Sequence, residues 1–152
     1  MNTDIQNLIG ETTVYDKKQM LEAKRPKSWL KSVSAFANGE GGTLIFGISD
    51  DDHIVGLADA KGDAERISEE IKSKLDPVPT VNLELKDADG KTLLLLYVYP
   101  GQETPYYYIG DKQRIAFVPI GNESVTADRT QLKALVERLW TYLRQFALQL
   151  QI

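Results

Sequence analysis

The chain has 152 residues, of which 42% are hydrophobic, so it is long enough for one well-buried core and too short for two comfortable domains. It contains no cysteine, which excludes disulfides and thiolate metal sites, and no apolar run reaches the roughly 18–20 residues that span a membrane. The first ten residues lack a secretory-signal pattern, so we expect a single cytoplasmic domain, residues 1–152, with no membrane partner.

The net charge of −4 hides an asymmetry along the chain. Residues 16–31, here called the basic segment, carry six basic and two acidic side chains, a net +4, which leaves −8 for the remainder. The six basic residues are Lys17, Lys18, Lys24, Arg25, Lys27 and Lys31. The sequence therefore predicts one positive face on an acidic body.

The N-terminal third of the chain predicts two helices and one strand. A short helix is expected within residues 1–15, and residues 19–25 alternate in polarity like a strand that ends before Pro26. Ser28 is a predicted N-cap, because apolar residues after it recur with helical spacing as far as Ala37. Gly39 is predicted to end this helix in the left-handed conformation.

After this helix the chain turns at two glycines, Gly41 and Gly42, and continues into a predicted strand and an acidic loop. Residues 43–48 are uncharged and rich in β-formers, which predicts a strand covered on both faces. Three aspartates follow it, Asp50, Asp51 and Asp52. A phosphate-binding P-loop runs from strand to helix and ends in Lys-Ser or Lys-Thr, so this order of helix, glycines and strand favours a tight connection instead.

The rest of the chain predicts an α+β fold. The expected elements are a return strand at 53–57, a helix at 62–74, a hairpin of strands 80–86 and 92–99, a strand pair at 105–109 and 114–119, and a long helix from residue 127. The total is a mixed sheet of about six to eight strands with three or four helices.

The long helix has an apolar stripe that extends beyond the predicted core. Its first half is expected to pack on the domain, whereas residues 140–152 carry more apolar surface than a domain of this size covers easily. Two interpretations remain open: plain core, or a homodimer or interdomain contact formed by this C-terminal extension.

Several blocks of the sequence resemble the Schlafen-type AlbA domain, the second AlbA-like family. The blocks are Glu22-Ala23-Lys24, Ser34-Ala35-Phe36-Ala37-Asn38 with Gly41-Gly42, Gly47-Ile48-Ser49-Asp50, Ile54-Val55-Gly56-Leu57, Pro100-Gly101, Pro105-Tyr106-Tyr107 and Ile120-Gly121-Asn122-Glu123-Ser124. The resemblance covers about residues 15–136, which makes residues 137–152 an extension. It implies an α+β, DNA-binding domain of the kind found in bacterial transcriptional regulators.

The resemblance also implies, for some members, a ribonuclease built on three carboxylates that hold Mg²⁺ or Mn²⁺. Glu22 and Asp50 fall on two of these positions and are the predicted catalytic and metal-binding residues. The third position holds Lys17, and Asp16 beside it would face the opposite side of a strand. The alternative is that residues 50–52 form a solvated turn. No cofactor is expected unless the protein is a nuclease.

DNA or RNA is the predicted partner of the basic segment. Lys17, Lys18, Lys24, Arg25, Lys27 and Lys31 would contact phosphates, with Arg114 nearby. Pro119 stands where the family usually has an arginine before Ile-Gly-Asn. Tyr106, Tyr107 and Tyr108 are candidate stacking residues, unless alternate members of their strand are buried. Three classes therefore remain open: a nucleic-acid-binding module, a metal-dependent ribonuclease, and a protein-interaction or dimerisation module.

Overall fold

The structure is a computed structural model that describes residues 14–151, so the helix predicted within residues 1–15 lies outside the described residues apart from its last positions. The strands are β1 (Tyr15–Lys18), β2 (Gly42–Phe46), β3 (Leu75–Asp76), β4 (Val81–Ala88), β5 (Lys91–Val98), β6 (Tyr107–Tyr108), β7 (Ile115–Ile120) and β8 (Glu123–Thr126). The helices are α1 (Lys27–Asn38), α2 (Ala60–Lys74) and α3 (Arg129–Leu150), with a short 3₁₀ turn at Gly110–Lys112.

The strands form two four-stranded sheets, in the orders β1-β2-β5-β4 and β3-β6-β7-β8. β1 runs parallel to β2, and the other pairs are antiparallel. This confirms the α+β prediction, with the eight described strands divided between two sheets.

Helix α1 joins the two sheets. It contacts β2 and β5 of the first sheet and β6, β7 and β8 of the second, and most of its residues are buried as a result. Every residue of β2 is buried, as expected for a strand covered on both faces. Four consecutive leucines of β5, residues 93–96, are also fully buried, because β5 lies inside the sheet between β2 and β4.

Ser34 and Asn38 fasten α1 to the second sheet through buried hydrogen bonds. The Asn38 amide donates to the carbonyls of Tyr106 (3.0 Å) and Phe117 (2.8 Å), and its Oδ1 accepts from the Tyr106 N–H at 2.7 Å. The Ser34 hydroxyl donates to the Tyr106 carbonyl at 2.8 Å and accepts from the Phe117 N–H at 3.1 Å. This interior hydrogen-bond cluster supplies the partners that buried backbone groups need.

The strand predicted at residues 19–25 is wrong. β1 occupies the four preceding residues, because Tyr15 pairs with Thr43 at the start of a parallel ladder that ends at Lys18. The alternation after β1 has another cause: Leu21 packs in the core while Met20 is 62% exposed. Residues 19–26 therefore form an irregular loop, here called the connecting loop.

Helix α1 ends before Gly39 as predicted, but the predicted N-cap and the predicted conformation of Gly39 are wrong. The helix begins at Lys27 after Pro26, and no side chain caps it; Ser28 lies in its first turn. Gly39 has φ −112°, whereas Gly41 takes the left-handed conformation with φ +83°. A side chain at Gly41 would also meet the Val98 carbonyl at 2.8 Å, so the reversal into β2 requires glycine at this position.

The remaining elements follow the sequence closely. The hairpin of β4 and β5 forms as predicted, and Asp59 caps α2 by accepting from the Gly62 N–H at 3.1 Å. The return strand at 53–57 is reduced to one bridge, Ile48 to Ile54, because Val55 and Gly56 both donate to the Gly47 carbonyl. The pair at 105–109 and 114–119 is present, although β6 has only two residues.

Helix α3 begins with a capping box in which Asp128 and Gln131 exchange hydrogen bonds. Leu135 is buried, but Trp140 and Phe146 in the second half are 57% and 46% exposed. Within residues 14–151, no helix is long and apolar enough to cross a membrane.

Candidate nucleic-acid interface

Five basic side chains line an open cavity of about 510 Å³ beside the start of α1, here called the basic groove. They are Lys24 and Arg25 from the connecting loop, Lys27 and Lys31 from α1, and Lys74 from the last turn of α2. The acidic residue in the lining is Asp111. The fold therefore concentrates positive charge where the loop and two helix ends converge.

Most of this charge has no anionic partner among residues 14–151. Among the described residues, Lys24, Arg25 and Lys31 make no hydrogen bond or ion pair through their side chains. Lys27 Nζ donates to Gln113 Oε1 at 2.8 Å, a neutral partner, and Lys74 pairs with Glu70 at 2.7 Å. Four of the five cations thus form no ion pair within the described part of the chain, which favours their use by an external anion.

A second cavity of about 410 Å³ continues from Lys31 towards the turn between β7 and β8. Lys18 lines it, but its ammonium lies 3.6 Å from Asp16 and 3.3 Å from the Ser28 carbonyl. Glu123 also lies in the lining. This cavity is therefore less positive than the basic groove.

Lys17 does not line the basic groove, because it is held by the acidic loop. Its ammonium donates to Asp52 Oδ1 at 2.8 Å and to the Asp50 carbonyl. The hydrogen bond that Lys17 donates to Asp52 is the main reason that the pKa of Lys17 is raised above its ordinary value. In the structure, Lys17 therefore serves to order this loop.

Of the three adjacent tyrosines, two are buried. Tyr106 is 5% exposed and Tyr108 is fully buried, so neither ring is free to stack on a base. Burial, with the hydrogen bond that the Tyr108 hydroxyl donates to Asp111 at 2.9 Å, raises the pKa of Tyr108 to about 12. Tyr107 is half-buried, and the Arg114 guanidinium lies 4.2 Å from the centre of its ring.

The predicted catalytic carboxylates do not line a common cavity. Glu22 is exposed and lines a cavity beside the start of α2, and Asp50 is absent from that lining. Asp50 is exposed in the loop after β2, where the neighbouring Asp51 has its pKa lowered to about 2, mainly by a hydrogen bond from Ser49 and then by His53. Over residues 14–151, no group of three or more Asp, Glu or His side chains is arranged to hold a metal ion. The catalytic and metal-binding roles of Glu22 and Asp50 stay predictions.

Sequence reasoning missed two residues of the groove, Lys74 and Asp111. Lys74 is typical of basic residues at a helix C-terminus, and Asp111 is typical of turn residues, so neither indicates a binding site in the sequence. Only the tertiary fold, which places the end of α2 and the turn after β6 beside the start of α1, brings them to the groove.

Comparisons with known proteins agree with this architecture. The model of the family described as Schlafen, AlbA_2 matches residues 11–128. The fold is similar to the solution structure of the N-terminal domain of a RecG-related protein from Nitrosomonas europaea, which is named for its relation to ATP-dependent DNA helicases. The TM-score is 0.57 at 24% identity, over 82% of this chain and 86% of the other.

A second similar structure is the crystal structure of the DIP2311 protein from Corynebacterium diphtheriae. It has a TM-score of 0.60 at 21% identity over 88% of this chain, which spans 24% of that protein. No curated protein matches the chain. At these identities the two structures show the fold, and the family match rests on the sequence itself. The chain belongs to the Schlafen, AlbA_2 family.

Proposed function

We propose that this domain binds nucleic acid by placing phosphates in the basic groove. The observation that carries the proposal is the convergence of Lys24, Arg25, Lys27, Lys31 and Lys74 around one cavity on a protein whose net charge is −4. A single positive site on an acidic body directs a polyanion to one surface. The family, and a structural neighbour named after DNA helicases, support the same partner.

Phosphate contacts release condensed counterions, so the first expected result is strong salt dependence. With three to five contacts, log Kobs should fall against log salt with a slope of roughly −2 to −4.5, since each contact contributes about −0.9 on B-DNA and about −0.7 on single strands. Fluorescence anisotropy with labelled single- and double-stranded DNA and RNA measures this slope. No binding to any of the four at low salt would contradict the proposal.

The same samples test the ribonuclease alternative, which rests on Glu22 and Asp50. Lys17 replaces the third carboxylate and is held by Asp52 at 2.8 Å, so we expect binding without shortening of the strand when Mn²⁺ is added. Product length on a gel measures this. Shortening that disappears with Asp50→Asn would favour the ribonuclease.

We further propose that the module belongs to a cytoplasmic protein of the bacterial transcriptional-regulator type. In this proposal residues 1–152 form one domain, and residues 137–152 are its extension. DNA is the expected partner in that setting. The anisotropy comparison is needed to decide between DNA and RNA, because the described lining of the basic groove does not by itself distinguish them.

We also propose that the extension pairs with a second copy of the chain. Leu132, Val136, Leu139, Leu143, Phe146 and Leu150 follow the alternating four- and three-residue spacing of a coiled-coil seam. Leu143, Phe146 and Leu150 are 37%, 46% and 70% exposed, so the described part of the domain leaves this end of the seam open to a partner.

The double variant Leu143→Glu, Phe146→Glu should convert a dimer to a monomer, because it places charge on the seam. Light scattering measures the mass. Thr141→Glu, Gln145→Glu adds the same charge at exposed positions off the seam and should leave the dimer intact. A wild-type protein with monomer mass would contradict this prediction.

A further inference from the structure

A cavity of about 610 Å³ shares Ala23, Lys24 and Arg25 with the basic groove, and we call it the loop cavity. It lies between the connecting loop and the start of α2. Its volume falls within the range of small-molecule sites, about 300–1,000 Å³. A phosphate held by Lys24 or Arg25 would therefore have the loop cavity beside it.

The walls of the loop cavity are largely apolar. Met20, Leu21 and Ala23 line it from the connecting loop, and Leu57 and Ala58 line it from the segment before α2. Met20 is 62% exposed although it stands next to a core residue, so its side chain is available to a ligand. Apolar side chains in a lining of this kind can contact the face of a heterocyclic ring.

The Asp63 carboxylate lies in the lining and accepts no hydrogen bond from the residues that the structure describes. The Asp63 side chain is only 16% exposed, and its partner is Arg66 Nη1 at 3.6 Å, which is beyond hydrogen-bond distance. Asp59 beside it already accepts from the Gly62 N–H at 3.1 Å. Asp63 is thus an acceptor with capacity for two N–H donors, beside the apolar residues of a lining that also includes the charged residues Glu22, Asp59 and Arg66.

We propose that the loop cavity receives one nucleobase of a single strand whose phosphates lie in the basic groove, and that Asp63 accepts hydrogen bonds from the edge of that base. The proposal rests on the proposed function and specifies its ligand. Guanine fits best, because its Watson–Crick edge presents two adjacent N–H donors to the two carboxylate oxygens. Thymine and uracil present one N–H between two carbonyls, which face a carboxylate unfavourably. A paired base would first have to leave its duplex, so single strands are favoured.

The test compares three short oligothymidines that carry a central guanosine, a central thymidine or a central abasic site. We expect the guanosine strand to bind about tenfold more tightly than the thymidine strand, since a good bidentate pair discriminates by roughly 5- to 100-fold. Asp63→Asn should remove this preference and leave the affinity for the abasic strand unchanged. Met20→Ala removes one wall of the loop cavity without changing the core, and it should lower the affinity for the guanosine strand several-fold.

The matched control is Asp89→Asn, an exposed aspartate with φ +52° in the turn between β4 and β5, a conformation that asparagine also adopts. It should change none of the three affinities. Equal, salt-sensitive binding of all three strands would overturn the loop-cavity proposal and leave the proposed function standing. Absence of binding to every strand would overturn both.

Discussion

Replacing Lys24, Arg25 and Lys27 together by glutamate should lower nucleic-acid affinity by on the order of a hundredfold or more. Each change removes a charged phosphate contact and places a like charge against the backbone, and hydrogen bonds to charged groups contribute about 1.5–3 kcal/mol each. The salt dependence should weaken as well, with a slope smaller by about 2–3 in magnitude. Anisotropy titrations at several salt concentrations measure both quantities.

The matched control is Lys61→Glu, Lys86→Glu, Lys133→Glu, which changes the net charge equally. These three lysines line none of the cavities described above. If binding depends on the groove, the control loses little affinity, and the small loss reports the long-range field of the protein. Equal losses in both variants would show that net charge, and not the groove, governs binding.

The triple variant should fold normally, so its result can be interpreted as a binding effect. Lys24 and Arg25 are exposed, and the packing role of Lys27 is limited to the hydrogen bond with Gln113 and a position 5.7 Å from the Tyr108 ring. Exposed substitutions of this kind change stability by about 0.5 kcal/mol or less.

Local signals explain which elements could be predicted. The hairpin of β4 and β5 is defined by alternating side chains and by the Asp-Ala-Asp-Gly turn at residues 87–90, all within one stretch of chain. β2 is an uncharged run whose burial follows from composition. β1 could not be placed in this way, because Tyr15–Lys18 is polar. Its parallel partner β2 also lies far along the chain, after the whole of α1.

The residues of the basic groove also differ in whether local sequence could predict them. Lys24, Arg25, Lys27 and Lys31 are neighbours in sequence, and helical and loop geometry keep them on one surface. Lys74 joins them only through tertiary packing. The burial of the tyrosines could be anticipated from local sequence, since side chains alternate along a strand. Tyr107 is half-buried here, and both of its neighbours are buried. That alternative was open from the sequence, and the burial of Tyr106 and Tyr108 agrees with it.

Asn38→Ala should destabilise the domain by about 3–5 kcal/mol, because it leaves the Tyr106 N–H and the Phe117 carbonyl buried without partners. The Tyr106 carbonyl keeps its bond from Ser34, so the loss is limited to these two groups. Thermal unfolding followed by circular dichroism should show a melting temperature lower by roughly 10 °C. Asn82→Ala, an exposed asparagine on β4, should change the unfolding free energy by about 0.5 kcal/mol or less.

Asn38→Asp distinguishes lost hydrogen bonds from lost packing, since it preserves the size of the side chain. The carboxylate would still accept from the Tyr106 N–H, but its second oxygen would lie where the amide now donates to two carbonyls, at 3.0 and 2.8 Å. A buried charge against two acceptors costs more than a missing donor, so this variant should be at least as unstable as Asn38→Ala. A stable Asn38→Asp domain would show that the position requires only volume. An unstable one would show that α1, and with it the basic groove, is held to the second sheet by the two donor hydrogens of Asn38.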